Sequence, residues 1–219
     1  MVASRFDVGE AASRSFEFMS KLLKDAGNLI LLIVLNIIPI VNFIVLGYFA
    51  RVVRLDLDEP PKLTSYADLF VEGLKLFLAF LLYAFIPLIL IAVGYAVSWP
   101  LAVIHPWFWL YSPLVLLGFL LLLAFLFVGL SALAIYMRTG DFSKVFAFQE
   151  AWSLIQHVGI ENYLIFFILL AVFNLAAGFV GSIIPLVGTA IVGVFAMAFT
   201  FKALSLFVNT KYPIPPPPP

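Results

Sequence analysis

Residues 36–43 read Asn-Ile-Ile-Pro-Ile-Val-Asn-Phe, "NIIPIVNF", in the middle of the apolar stretch Asn28–Val53. Proline has no backbone N–H and clashes with the preceding helical turn, so it kinks or breaks a helix. Pro39 therefore marks either a kink in one membrane-crossing helix or the tip of a hairpin that enters and leaves on the same side. Charge placement decides between them. The twelve basic residues are Arg5, Arg14, Lys21, Lys24, Arg51, Arg54, Lys62, Lys75, Arg138, Lys144, Lys202 and Lys211. Orientation in a membrane follows the Lys/Arg bias of short loops beside the spans. A single kinked span puts Arg5, Arg14, Lys21 and Lys24 opposite the next four and erases that bias. A hairpin places all twelve on one face, together with all twelve Asp and Glu residues. The opposite face then keeps only "SWPLAVIHPWFWLYSP" (Ser98–Pro113) and the turn around Pro185, with no formal charge. The sequence thus predicts a re-entrant, half-membrane hairpin over residues 28–50. Its arms, Asn28–Ile38 and Ile40–Ala50, would each span ~17 Å, about half of a ~30 Å hydrocarbon core. Asn36 and Asn42 are positioned to hydrogen-bond the backbone groups freed around Pro39.

Composition sets the solvent. The 219 residues are 64% hydrophobic and 11% charged, against roughly 25% charged in a soluble domain, so this surface belongs in a bilayer. A net charge of zero argues against nucleic acid as a partner, which calls for a basic surface. The chain has no cysteine, so disulfides, iron–sulfur clusters and thiolate metal sites are ruled out. The first residues, "MVASRFDVGEAASRSFEF", scatter charges where a signal peptide has an apolar core, so the first membrane segment is expected to direct insertion itself.

Four full spans are expected at about 76–97, 113–136, 162–184 and 186–208, the last two separated by the turn "SIIPLVGT" (Ser182–Thr189). The chain reads as a single all-α membrane domain, 1–211, followed by a proline-rich tail, 212–219, extended as polyproline II. "IIPIVNFIVLG" (Ile37–Gly47) and "IIPLVGTAIVG" (Ile183–Gly193) share Ile-Ile-Pro, a valine two residues on and a glycine eight on. The match predicts an internal repeat over 15–54 and 147–202, with one hairpin expected shallow and the other of full depth. "KLTSYADLFVEGLKLF" (Lys62–Phe77) carries an apolar stripe at helical spacing and a capping signal, Ser65 with Asp68 three residues on. "DFSKVFAFQEAWSLIQH" (Asp141–His157) repeats the stripe with Phe142, Val145, Phe146, Trp152 and Ile155. Both are expected as interfacial amphipathic helices in the headgroup layer, where a partner could also dock.

The chain offers little catalytic chemistry. His105 and His157 fall on opposite faces, and no Ser-His-Asp order, HExxH or phosphate-binding glycine loop occurs. No cofactor or metal is expected, and no enzyme activity. No ionisable residue falls in the middle of a span, which disfavours ion- or proton-coupled transport. The candidate hairpin and cavity residues are Asn36, Pro39, Asn42, Asn174 and Pro185. The small-residue run "NLAAGFVGS" (Asn174–Ser182) lets helix backbones approach closely, within the chain or between copies.

Three stretches carry a resemblance: "IIPIVNFIVLGYFARVVR" (Ile37–Arg54), "PKLTSYADLFVEGLKLFLAFLLYAFIP" (Pro61–Pro87) and "YMRTGDFSKVFAFQEAW" (Tyr136–Trp152). In order they hold Pro39, Gly47, Tyr48 and Arg51, then Gly73–Lys75, then Tyr83 with Pro87, then Thr-Gly-Asp-Phe before Phe146. This pattern resembles the membrane family catalogued as domain of unknown function 4013. The resemblance implies a prokaryotic, archaeal-type multi-pass membrane protein, and supplies no activity, substrate or site residues. The expectation is a non-catalytic protein of the cell membrane with a structural or organising role, both termini cytoplasmic. Its partners would be the bilayer and further copies of itself, as a homo-oligomer. The alternative is a channel or passive transporter for a small solute, its path lined by the Pro39 hairpin.

Overall fold

The computed structural model describes residues 6–102 and 112–214. Its helices are α1 (Val8–Lys21), α2 (Ala26–Ile37), α3 (Phe43–Leu55), α4 (Tyr66–Ala102), α5 (Pro113–Thr139), α6 (Phe148–Val158), α7 (Ile160–Ser182) and α8 (Val187–Asn209), with short 3-10 turns at Leu22–Lys24 and Phe142–Phe146. No strand occurs among the described residues. Four of these helices, α4, α5, α7 and α8, are long and apolar enough to cross a bilayer, the mark of a multi-pass membrane protein. His105, the tryptophans Trp107 and Trp109 and most of the proline tail lie outside the described residues.

Local signals account for the boundaries. Asp7 caps α1 by accepting from the N–H groups of Gly9 and Glu10, and Asp25 caps α2 through Asn28 N. The residue before a proline avoids the α region, and Ile38 is extended at φ −86°, ψ 115°. Ile40 then takes the left-handed φ of 70°, which turns the chain back into α3. Pro113 occupies the first turn of α5, and Gly140, at φ 75°, closes it by donating to Tyr136 O.

The chain before α2 and the chain after α3 return to one end of the molecule. Arg14 Nη2 is 2.9 Å from Asp58 Oδ1, and Lys21 Nζ donates to Asp58 O at 3.2 Å. Asn28 binds the same returning segment, donating to Pro61 O at 3.1 Å and accepting from Leu63 N at 3.1 Å. A continuous helix over Asn28–Val53 would have held those ends ~39 Å apart.

Two interfacial helices differ from their expected form. Lys62–Phe77 is not a separate element: its apolar stripe runs into the following span as one 37-residue helix, α4, because no breaker intervenes. Ser65 sits at φ 57°, and among the described residues its side chain accepts no capping bond; its carbonyl accepts from Leu69 N. Asp141–His157 splits at Ala147 into a 3-10 turn and α6. Its stripe divides with it: Val145 and Ile155 enter the core, while Phe146 and Trp152 remain 57% and 41% exposed.

The core lies at the charged end. Phe18 of α1, Tyr48 and Phe49 of α3, Ile135 of α5, Leu154 of α6 and Phe207 of α8 are all buried there. Away from it the helices are bare. Only 22%, 22% and 17% of the apolar windows of α4, α5 and α7 are buried, against 56% for α8. Helices α3 and α4 pack backbone to backbone, where a Cβ on Gly47 would lie 1.9 Å from Leu69 O and one on Gly73 1.8 Å from Phe43 O.

Candidate functional site

Three groups of polar side chains stand out from this apolar scaffold. The first is an ion network at the charged end. Lys202 of α8 is 1% exposed, and an ammonium group so far from water needs charged and hydrogen-bonding partners. It donates to Leu57 O at 2.9 Å and lies 2.9 Å from Asp58 Oδ1 and 3.6 Å from Asp56 Oδ1. Ser205, one turn on, donates to Asp56 Oδ1 at 2.6 Å. Arg138, at the end of α5, donates to Ser205 O at 2.9 Å and is 3.8 Å from Asp56 Oδ1. The network therefore joins α1, α5 and α8 through the short connection after α3. The hydrogen bond from Lys202, supported by Arg14, holds the Asp58 carboxyl below its usual range against the opposing effect of burial. With the folded pKa lowered, this contribution to stability is present above the ordinary Asp range near ~4 and is lost as pH falls through the folded value.

The second group is the hairpin tip. Asn36 does not bond the groups around Pro39. Its Nδ2 donates to Ala190 O in the first turn of α8, at 3.0 Å, fastening α2 to α8. Asn42 stands before α3 without a side-chain capping bond, and its Oδ1 is buried with no partner. Its backbone N–H instead donates to Ile38 O, so the turn is closed by main chain. Pro185 lies in the α7–α8 turn and accepts from Val187 N. The contact of Asn36 with Ala190 sets the Pro39 turn beside the first turn of α8.

Asn174 is apart from that tip. It is exposed on α7, where its Nδ2 donates to Leu170 O and to Thr200 Oγ1, both at 2.9 Å. Gly178 and Ser182 follow at intervals of four and are exposed too. A Cβ on Gly178 would meet nothing within 4 Å, whereas one on Gly181, three residues on, would lie 3.2 Å from Thr189 Cα. The small-residue run thus has an inner edge used within the chain and an outer edge that is open.

The third group escaped sequence reasoning. Arg51 Nη2 and Arg54 Nη1 both meet Glu72 Oε1, at 3.3 and 2.8 Å. Arg54 Nε also donates to Met137 O at 3.3 Å. With Asp68, Val71, Lys75, Tyr136 and Gly140 they line a cleft of about 340 Å³. A signal was present: Arg51 and Arg54 share a face of α3, and Asp68, Glu72 and Lys75 share a face of α4. That the two faces meet depends on the Gly47–Gly73 crossing, which has no one-dimensional signature.

Among the described residues no group of three His, Asp or Glu side chains is placed to hold a metal ion. The family described as "Protein of unknown function (DUF4013)" matches residues 30–186, well over half of the chain. No curated protein and no solved structure matches it.

Proposed function

The chain belongs to the DUF4013 family, and from that premise we propose a non-catalytic organising protein of the cell membrane that self-associates through its lipid-facing helices. The observation that carries the reading is the uneven burial. The ion-paired base holds the buried core, while the apolar stretches of α4, α5 and α7 are at most 22% buried. Helices that meet so little of their own chain present their surface to lipid or to other copies. Asn174 favours copies. Its Oδ1 accepts no bond among the described residues, and a polar group in hydrocarbon gains from an interhelical partner. Gly178 beside it permits close approach.

On this reading the Pro39 hairpin is re-entrant and both termini are cytoplasmic. The absence of native cysteine makes labelling direct. Glu10→Cys should react from the charged side and His105→Cys from the other, with Ile40→Cys protected from both. Labelling of Glu10→Cys and His105→Cys from one side would overturn the topology. Association should be read by mass in native nanodiscs. Wild-type protein is expected as a multimer, and Asn174→Leu combined with Gly178→Leu should shift it to monomer. A monomeric wild type would remove the organising role. The passive-channel reading would require copies to enclose a path. Flux through reconstituted vesicles that disappears with Asn36→Leu or Asn42→Leu would support it.

A further inference from the structure

We propose that the cleft between α3, α4 and α5 binds the phosphate of an anionic lipid headgroup. The inference rests on the chain being embedded in a bilayer and goes beyond its organising role.

Charge comes first. The cleft holds three cations, Arg51, Arg54 and Lys75, and two carboxylates, Asp68 and Glu72, a net charge of 3 − 2 = +1. A single carboxylate oxygen, Glu72 Oε1, serves both guanidinium groups, so neither is fully neutralised. Lys75 is exposed and makes no ion pair or hydrogen bond among the described residues. Asp68 lies one turn before Glu72 on the same face of α4, and an anion in the cleft must be held against it.

Position comes second. Lys75 is the last charged residue before Arg138, with the intervening apolar hairpin of α4 and α5 between them. The side chains just beyond it, Phe77, Leu78 and Phe80, are 41%, 43% and 40% exposed. Lys75 therefore marks the depth where α4 leaves the hydrocarbon, which is where lipid phosphates lie. Basic pockets between helices at that depth suit acidic headgroups.

Shape comes third. Gly140, at φ 75°, lies directly against the Arg54 guanidinium; a Cβ there would come within ordinary contact, 3.6 Å from Arg54 Cζ. Arg54 is held in place by its bonds to Met137 O and Glu72 Oε1, which leave its Nη2 without a partner among the described residues and ready to donate to an anion. The volume falls within the range of small-molecule sites.

The test uses the full chain purified in detergent. It is offered equal amounts of phosphatidylglycerol and phosphatidylcholine, and retained lipid is counted by native mass spectrometry. Thermal unfolding is followed in parallel with each lipid and with inorganic phosphate. Wild type is expected to retain the acidic lipid preferentially. Lys75→Gln should reduce that preference about fivefold, the effect of one surface cation, and Asp68→Asn should increase it. Both positions are exposed, so folding should survive both changes. Protection by inorganic phosphate equal to that by the acidic lipid would keep the site and assign it to free phosphate. Equal retention of both lipids by wild type, or a preference unmoved by Lys75→Gln and Asp68→Asn, would overturn the proposal. A chain that stays in solution without detergent would instead overturn the embedded reading beneath it.

Discussion

Replacing Gly47 with leucine is expected to abolish folded protein, and Gly47→Ala alone to lower stability by about 3 kcal/mol or more. Overpacking a tight core usually costs ~1–3 kcal/mol because side chains can adjust. Here the obstacle is backbone. A Cβ at Gly47 would lie 1.9 Å from Leu69 O and 2.8 Å from Leu69 C, and one at Gly73 1.8 Å from Phe43 O. A carbonyl inside α4 cannot rotate away without giving up its helical hydrogen bond, so α3 and α4 must move apart by more than an ångström. That separation would also pull Arg51 and Arg54 away from Glu72. Gly73→Ala should fail in the same way, since each glycine touches the other's helix. Gly178→Ala is the control: its Cβ meets nothing within 4 Å, and replacing a mid-helix glycine stabilises by ~0.5–1 kcal/mol. Thermal unfolding in detergent separates these outcomes. A Gly47→Ala protein melting with wild type would mean the helices do not cross in contact at this point.

Asp56→Ala is expected to destabilise by ~3–5 kcal/mol, the usual effect of removing one partner from buried charges. Asp56 Oδ1 is the meeting point of Ser205 Oγ, Lys202 Nζ and Arg138 Nη2. Among the described residues Arg138 has no other carboxylate within ion-pair distance, and its Nε and Nη1 are already buried without partners. Asp58 remains for Lys202, so the larger loss falls on Arg138. Backbone adds a second term, because Asp56 sits at the left-handed φ of 48°, which Asn tolerates and Ala does not. Asp56→Asn therefore separates charge from conformation: it keeps the turn and an acceptor for Ser205 and removes only the negative charge. It should fall between wild type and Asp56→Ala in denaturant midpoint. Equal stability of Asp56→Asn and wild type would show that the charge at this position contributes nothing.

The candidate site was partly legible in the sequence. The Pro39 turn could be placed because proline and the residue before it obey local backbone rules. Asn36 and Asn42 stood out as polar groups in an apolar stretch. Their partners were not legible: Asn36 reaches a carbonyl 154 positions away on α8, and nothing near Pro39 points to it. Lys202 gives the same lesson. Its charge stands out near the end of an apolar run, but its burial depends on Asp56 and Asp58 arriving from the α3–α4 connection.

By itself the sequence determined the solvent, the four apolar helices and the return of the chain after Pro39. These follow from composition, run length and charge order, which are properties of neighbours along the chain. The tertiary structure decided that α4 continues unbroken from base to span and that Asp141–His157 divides at Ala147. It also decided that Arg51, Arg54 and Lys75 line one cleft and that Asn174 faces outward. Each of these turns on which helix faces meet. That is settled by close packing, above all by two glycines that let α3 and α4 touch, and packing compares side chains that the sequence holds far apart.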